Sequence, residues 1–335
     1  MLTGKHARGR DRRNRKFLII LTITVVLVAA IVVCFLVSYT RGFSTEESVE
    51  NPETIAEQKS EEQVEESNQE SADAASTFEQ SEQMATAESA VATLVETYSE
   101  DVAVVVLPLD GSLGFSINGE EKFISASMIK LLILAEYLDE VDSGKLDSDA
   151  VYTKNLVDVV GGTGVIQNEA PGTEYTYDDL ARYMIMYSDN TATNALIDLM
   201  GMDAINAKAR DLGLVATDLQ RKMMDLNLGV ENHISAGDAA IIFSGIATHT
   251  IASEKMCKKA EEWLLEQTDN NGIIDGLPSG IRFGHKTGDL NNIRHDGGIV
   301  YADYPYVIVV LADTGSFAAN SLMSKISAAV YESIA

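Results

Sequence analysis

Between Phe17 and Val37 the chain runs 21 residues with only Thr22 and Thr24 polar. As a helix rising about 1.5 Å per residue, such a run reaches roughly 30 Å, the thickness of a bilayer's hydrocarbon. Lys5, Arg8, Arg10, Arg12, Arg13, Arg15 and Lys16 precede it, and Arg41 alone comes closely after it. The positive-inside bias therefore predicts a cytoplasmic tail over 1–16, a transmembrane signal anchor over 17–37, and an extracytoplasmic location for everything after Ser38. The competing reading is a cleaved secretory leader, which needs an apolar stretch of about 7–15 residues and a small-residue cleavage site. Ser38-Tyr39-Thr40-Arg41 offers no such site, and Cys34 lies inside the apolar run as a membrane-buried thiol.

The chain beyond the span must fold in water. Residues 42–85 are rich in Glu, Gln, Ser and Ala with almost no aromatics, too little apolar surface to offset ordering entropy, so a disordered, self-repelling tether is expected. Residues 86–335 remain for one large domain with a sizeable core. The chain's net charge is −26 even though its leader is basic, so this domain would repel a phosphate backbone, and nucleic acid is excluded as a partner. Cys34 and Cys257 fall in separate compartments, leaving no internal disulfide. The five histidines are scattered, without H-E-x-x-H or C-x-x-C, so neither a metal site nor a cofactor is expected.

Apolar periodicity predicts a first helix over Ser89–Tyr98, then β-branched strands over Val102–Leu107 and Gly114–Ile117 as an antiparallel hairpin. Helical patterns dominate from Ser127 to Glu266, strands return over Arg282–Lys286, Gly297–Ala302 and Val307–Asp313, and Asn320–Ile334 closes as a helix. Strands at both ends with helices between imply an α+β fold: one antiparallel sheet built from the two chain ends, an inserted helical subdomain, and a cleft between them.

Three short motifs fall where such a cleft would lie. Ser127-Met128-Ile129-Lys130 opens a helix apolar almost all round, and positions i and i+3 share a face, so the Lys130 amine lies one turn from the Ser127 hydroxyl. A serine hydroxyl needs a neighbouring base to become a nucleophile, and Lys130 supplies one if burial and a second cation lower its pKa. Ser188-Asp189-Asn190 sits between two helical patterns and offers a hydroxyl for proton relay and an amide for a substrate carbonyl; as a plain element it would be a helix N-cap. Lys286-Thr287-Gly288 ends a strand with a cation and a hydroxyl suited to an anionic group, and as a plain element is a polar strand end with a glycine bulge. Gly161-Gly162-Thr163-Gly164 lacks the phosphate-loop pattern and is expected to be a flexible loop at the cleft edge. Tyr183, Met184 and Met186 fit a packed helix face.

The three motifs in this order resemble those of class A β-lactamases and penicillin-binding proteins. Phe123-Ile124-Ser125-Ala126, Thr191-Ala192-Thr193-Asn194 and His285 flank them as in that family, and the separations are similar. The resemblance implies that Ser127 is acylated, Lys130 is its base, Ser188 relays a proton to the leaving nitrogen, and Asn190 holds substrate and lysine. It further implies that Lys286 and Thr287, beside Gly288, bind a substrate carboxylate. The N–H groups of Ser127 and Asp289 would form the oxyanion hole, and Arg294 would add a carboxylate contact or else make a surface salt bridge. The implied substrate is a β-lactam or a D-Ala-D-Ala-like peptide.

One departure stands out. The family's omega loop reads R-x-E-x-x-L-N, its Glu activating the deacylating water, whereas this chain has Arg221-Lys222-Met223-Met224-Asp225-Leu226-Asn227. Met223 takes the Glu position, and Asp225 is the nearest acid. The expectation is an extracytoplasmic serine hydrolase acylated by β-lactams with slow deacylation. A D,D-peptidase or a non-hydrolytic peptidoglycan or β-lactam sensor is the alternative.

Overall fold

The computed structural model describes residues 81–98 and 101–334. The expected cytoplasmic tail and membrane span, and the expected tether up to residue 80, lie outside the described residues.

In chain order the elements are α1 (81–96), β1 (Val102–Pro108), β2 (Phe115–Ile117), β3 (Phe123–Ile124), α2 (Lys130–Asp142), β4 (Val151–Thr153), β5 (Glu174–Thr176), α3 (Tyr177–Met186), α4 (Asn190–Met200), α5 (Met202–Asp211), β6 (His233–Ile234), α6 (Ala236–Ala247), α7 (Glu254–Leu265), β7 (Arg282–Leu290), β8 (Ile293–Tyr301), β9 (Tyr306–Ala312) and α8 (Ser316–Ile334). The main sheet has the order β2-β1-β9-β8-β7, antiparallel throughout, so both chain ends supply it and β7 is an edge. The fold is α+β, as the alternation of strand and helix patterns implied.

The central strands carry two cores. On β1, Val102, Val104 and Val106 face one core while Ala103 and Val105 face the other; on β9, Ile308 and Val310 are set against Val307, Val309 and Leu311 in the same way. A near-continuous apolar run is what a strand covered on both faces requires. The first core is closed by α1 and α8, the second by the helical part of the molecule.

α1 begins earlier than the sequence pattern suggested, so residues 81–85 of the expected tether are helical. Met84, Ala87 and Val91 form one buried stripe at helical spacing, and that burial recruits a segment whose composition alone favours solvent. Two small sheets, β3–β6 and β4–β5, were too short to show a period in the sequence. β7 continues through the third motif to Leu290 instead of stopping at Lys286, and its pairing with β8 is regular across Gly288, so there is no bulge at that glycine.

α2 is buried from Lys130 to Leu138, charged Lys130 and Glu136 included. It is the central post against which α4, α5 and α3 pack, and its first residue is the lysine of the first motif.

Candidate active site

Ser127 lies in a short 3-10 turn, Ala126–Ile129, that runs directly into α2. Ala126 has φ +45°, a left-handed backbone that costs a non-glycine residue of order 1–3 kcal/mol. The turn is held from both sides. The Ser125 N–H donates to Asn232 O (2.8 Å), the Met128 N–H to Ser125 O (2.9 Å), and β3 pairs with β6 just before it. His295 on β8 bonds through Nε2 to Ile124 O (2.9 Å), while its Nδ1 accepts the Ala312 N–H (3.1 Å). The second bond fixes the proton on Nε2, and burial lowers the His295 pKa to about 4, so this brace between sheet and nucleophile turn is a neutral imidazole.

The edge strand β7 reaches the turn from the other side. A Cβ on Gly288 would lie 3.2 Å from Ala126 Cβ, Met128 Cγ and Ser125 O. The glycine of the third motif is therefore a close-approach residue, which sets Thr287 and Asp289 into the cleft next to Ser127.

All three motifs converge on one hydroxyl. The Lys130 amine donates to Ser188 O (2.6 Å) and Asn190 Oδ1 (2.8 Å) and lies 3.1 Å from Ser188 Oγ. The Lys286 amine lies 3.1 Å from the same Oγ and donates to Thr287 O (2.6 Å). Both lysines are completely buried. Burial, then the charge of Lys286, pushes Lys130 well below the usual lysine range, with Asp189 opposing. Burial lowers Lys286 to about 7, with Asp269 and Asp296 opposing and Arg294 adding to the fall. The two carbonyl-type partners of Lys130 can only accept, and Ser188 Oγ lies within hydrogen-bond reach of both amines, so that hydroxyl bridges Lys130 and Lys286. Lys286, Ser188 and Lys130 thus form one hydrogen-bonded line at the cleft that Ser127 and Ser188 both line.

Ser188 itself has φ +52°. The glycine loop fixes that conformation: Thr163 Oγ1 donates to Ser188 O (2.7 Å), the Asn190 N–H to Thr163 O (3.1 Å), and Asn190 Nδ2 to Gly161 O (2.9 Å). Asp189 caps α4 through the Ala192 N–H (2.9 Å) and also takes the Ile166 N–H (2.8 Å). The loop expected to be flexible is therefore tied to the second motif. Gly164, at φ +113°, has no room for a side chain, since a Cβ there would stand 2.3 Å from the Asp189 carboxylate.

The omega-loop neck is closed at Arg221, whose backbone N–H and O are both bound by the Asn232 side chain (2.9 and 3.0 Å) and whose guanidinium pairs with Glu231. Inside it, Asn194 binds Met223 on both backbone groups, accepting its N–H (2.8 Å) and donating to its O (3.1 Å). Met223 and Met224 line the cleft; Asp225 is not among the lining residues, and its carboxylate accepts the Asn227 N–H of its own loop. Asn194, named from the sequence only as part of the flank of the second motif, carries a further signal: it lies four residues after Asn190, on the same face of α4.

Arg294 departs from its plain reading as a surface salt bridge. It is 3% exposed, so it is no surface pair, and it does not line the cleft. Its guanidinium is spent on Asp269, Asn271 O and Asn320 Oδ1. It reaches the cleft only through Asp269, which no sequence signal linked to it.

The family described as "Beta-lactamase enzyme family" matches residues 86–334. The extended-spectrum beta-lactamase PER-1 of Pseudomonas aeruginosa is 29% identical over 223 residues, 64% of this chain and 72% of that protein. The D-alanyl-D-alanine carboxypeptidase DacF of Bacillus subtilis is 26% identical over 206 residues, 58% of this chain and 51% of that one. Among solved structures, a beta-lactamase from Sphaerobacter thermophilus superposes at a TM-score of 0.70 with 29% identity, covering 75% of this chain and 97% of its own.

Proposed function

The chain belongs to the beta-lactamase enzyme family, and on that footing we propose that it is acylated at Ser127 by β-lactams and by D-Ala-D-Ala-like peptides, and releases the acyl group slowly. The observation that carries the proposal is the shared Ser188 hydroxyl between two buried amines of depressed pKa. That arrangement moves a proton in one direction at a time, which is what amide cleavage needs.

In acylation the Ser127 proton passes to Lys130 as Oγ bonds to the carbonyl carbon. The oxygen takes up negative charge, facing the N–H groups of Ser127 and Asp289; one such donor is typically worth about 10²–10³ in rate. As the C–N bond breaks, the leaving nitrogen takes the Ser188 proton, and Lys130 returns one to Ser188, so Lys130 ends neutral and Ser127 ends as an ester. Hydrolysis of that ester needs a deprotonated water. The loop residue over the cleft in the expected register is Met223, whose thioether is no base.

A fluorescent penicillin is expected to label the wild-type chain covalently and to leave Ser127→Ala unlabelled; equal labelling of both would place the nucleophile elsewhere. The peptidase reading is favoured by the likeness to DacF and by the missing omega-loop acid. It predicts release of terminal D-Ala from an acyl-D-Ala-D-Ala peptide at a rate that penicillin suppresses.

We further propose that the domain is held outside the cytoplasm by the apolar run over 17–37. Protease added to intact protoplasts is expected to release a domain cut between Gly42 and Gln80, and complete protection would contradict this topology.

A further inference from the structure

The corner of the cleft with the donors suited to an anion already holds one that belongs to the chain. Asp269, just beyond α7, lines the cleft beside Thr287 and Asp289. Its carboxylate takes the Arg294 fork, Nη1 to Oδ2 at 2.6 Å and Nη2 to Oδ1 at 3.2 Å, and accepts Asn271 Nδ2 at 3.0 Å. Burial pushes the Asp269 pKa up, but Arg294, Asn271 and the Thr287 hydroxyl outweigh it and hold it at about 2, so it is ionised at any working pH. Two of the other three Arg294 N–H groups go to Asn320 Oδ1 and Asn271 O.

These contacts set the charge balance of the corner. The Arg294 guanidinium is neutralised by Asp269, with Asp289 3.6 Å from its Nη1 and Asp296 also within its field. Burial holds the Lys286 pKa at about 7, and two of its N–H groups are bound to Ser188 Oγ and Thr287 O. A carboxylate brought to Lys286 and Thr287 therefore meets the fixed charges of Asp269 and Asp289, with the positive charge of Arg294 already offset. A neutral or cationic group meets no such repulsion.

We propose that Asp269 makes this cleft select acyl donors whose leaving-group side carries a capped carboxyl, an amide or an ester, or a cation, in place of a free carboxylate. The proposal deepens the Ser127 acylation reading and rests on it. Carboxylate-bearing donors still acylate, but more slowly than their capped counterparts.

The test compares matched pairs on the full chain, following the mass of the Ser127 peptide: a penicillin against its methyl ester, and acyl-D-Ala-D-lactate against acyl-D-Ala-D-lactamide. In the wild type the capped member of each pair is expected to acylate at least 10-fold faster. In Asp269→Asn, which keeps an acceptor for Arg294 while removing the charge, the ratio is expected to collapse toward or below one, through a gain for the carboxylate member. The wild-type ratio needs no variant, so a poorly folding Asp269→Asn leaves the test decisive. A wild-type preference for the carboxylate member, or equal rates, would overturn the selectivity while leaving Ser127 acylation standing. Absence of acylation by all four compounds would overturn both.

Discussion

Lys130→Ala is expected to slow acylation of Ser127 by a penicillin about 10²–10⁴-fold, the usual worth of general-base help. The same truncation removes a donor from Ser188 O and Asn190 Oδ1 and so disturbs the relay as well as the base. Lys130→Arg separates the two contributions. A guanidinium can donate to both oxygens but stays protonated at any working pH, so it supplies position without basicity. If Lys130 acts as base, both variants are slow and their residual rates rise with hydroxide. Recovery of most of the rate in Lys130→Arg would reduce Lys130 to a positioning residue. The readout is quenched-flow mass measurement of the Ser127 peptide, which separates acylation from any later step.

Met223→Glu is expected to shorten the lifetime of the acyl-enzyme by about 10²–10⁴, or roughly 3–5 kcal/mol of barrier, while changing the acylation rate little. The backbone is already set for it. Asn194 holds the Met223 N–H and O at 2.8 and 3.1 Å, so the Cα stays in place whatever the side chain, and the side chain at that position lines the cleft. A carboxylate there would stand over the ester with a water between. Asp225→Asn is expected to do little, because the Asp225 carboxylate serves the Asn227 N–H of its own loop. Fast turnover in the wild type that disappears in Asp225→Asn would mean that the loop re-forms around substrate to present Asp225.

The sequence made the fold legible where one rule dominated. The alternating faces of β1 and β9, the all-round apolar α2 and the helix-capping Asp189 reflect period, burial and cap chemistry. Ser127, Lys130, Ser188 and Lys286 could be singled out because their three motifs sit on rigid element ends. The hidden features depend on contacts distant in sequence. The glycine loop looked mobile because Gly161, Gly162 and Gly164 carry no side chains, yet its carbonyls and Thr163 are what fix Ser188 and Asn190. Gly288 looked like a strand terminator, and only the approach of Ala126 and Met128 explains it. Arg294 looked like a substrate ligand or a surface pair, and only Asp269, twenty-five residues earlier, reveals that its charge is already taken. The first turns of α1 were misread for a related reason, since Met84 and Ala87 become core only when the sheet is there to receive them.

Whether a serine acyl-enzyme forms and persists is tested most directly by the intact mass of the chain through time, after a brief exposure to a penicillin and its removal. The expected result is a gain of one whole penicillin, located on the peptide that contains Ser127, decaying over minutes to hours. An unmodified mass at every time point while the penicillin is rapidly hydrolysed would contradict the slow release assigned to Met223. An unmodified mass with the penicillin intact would contradict acylation itself.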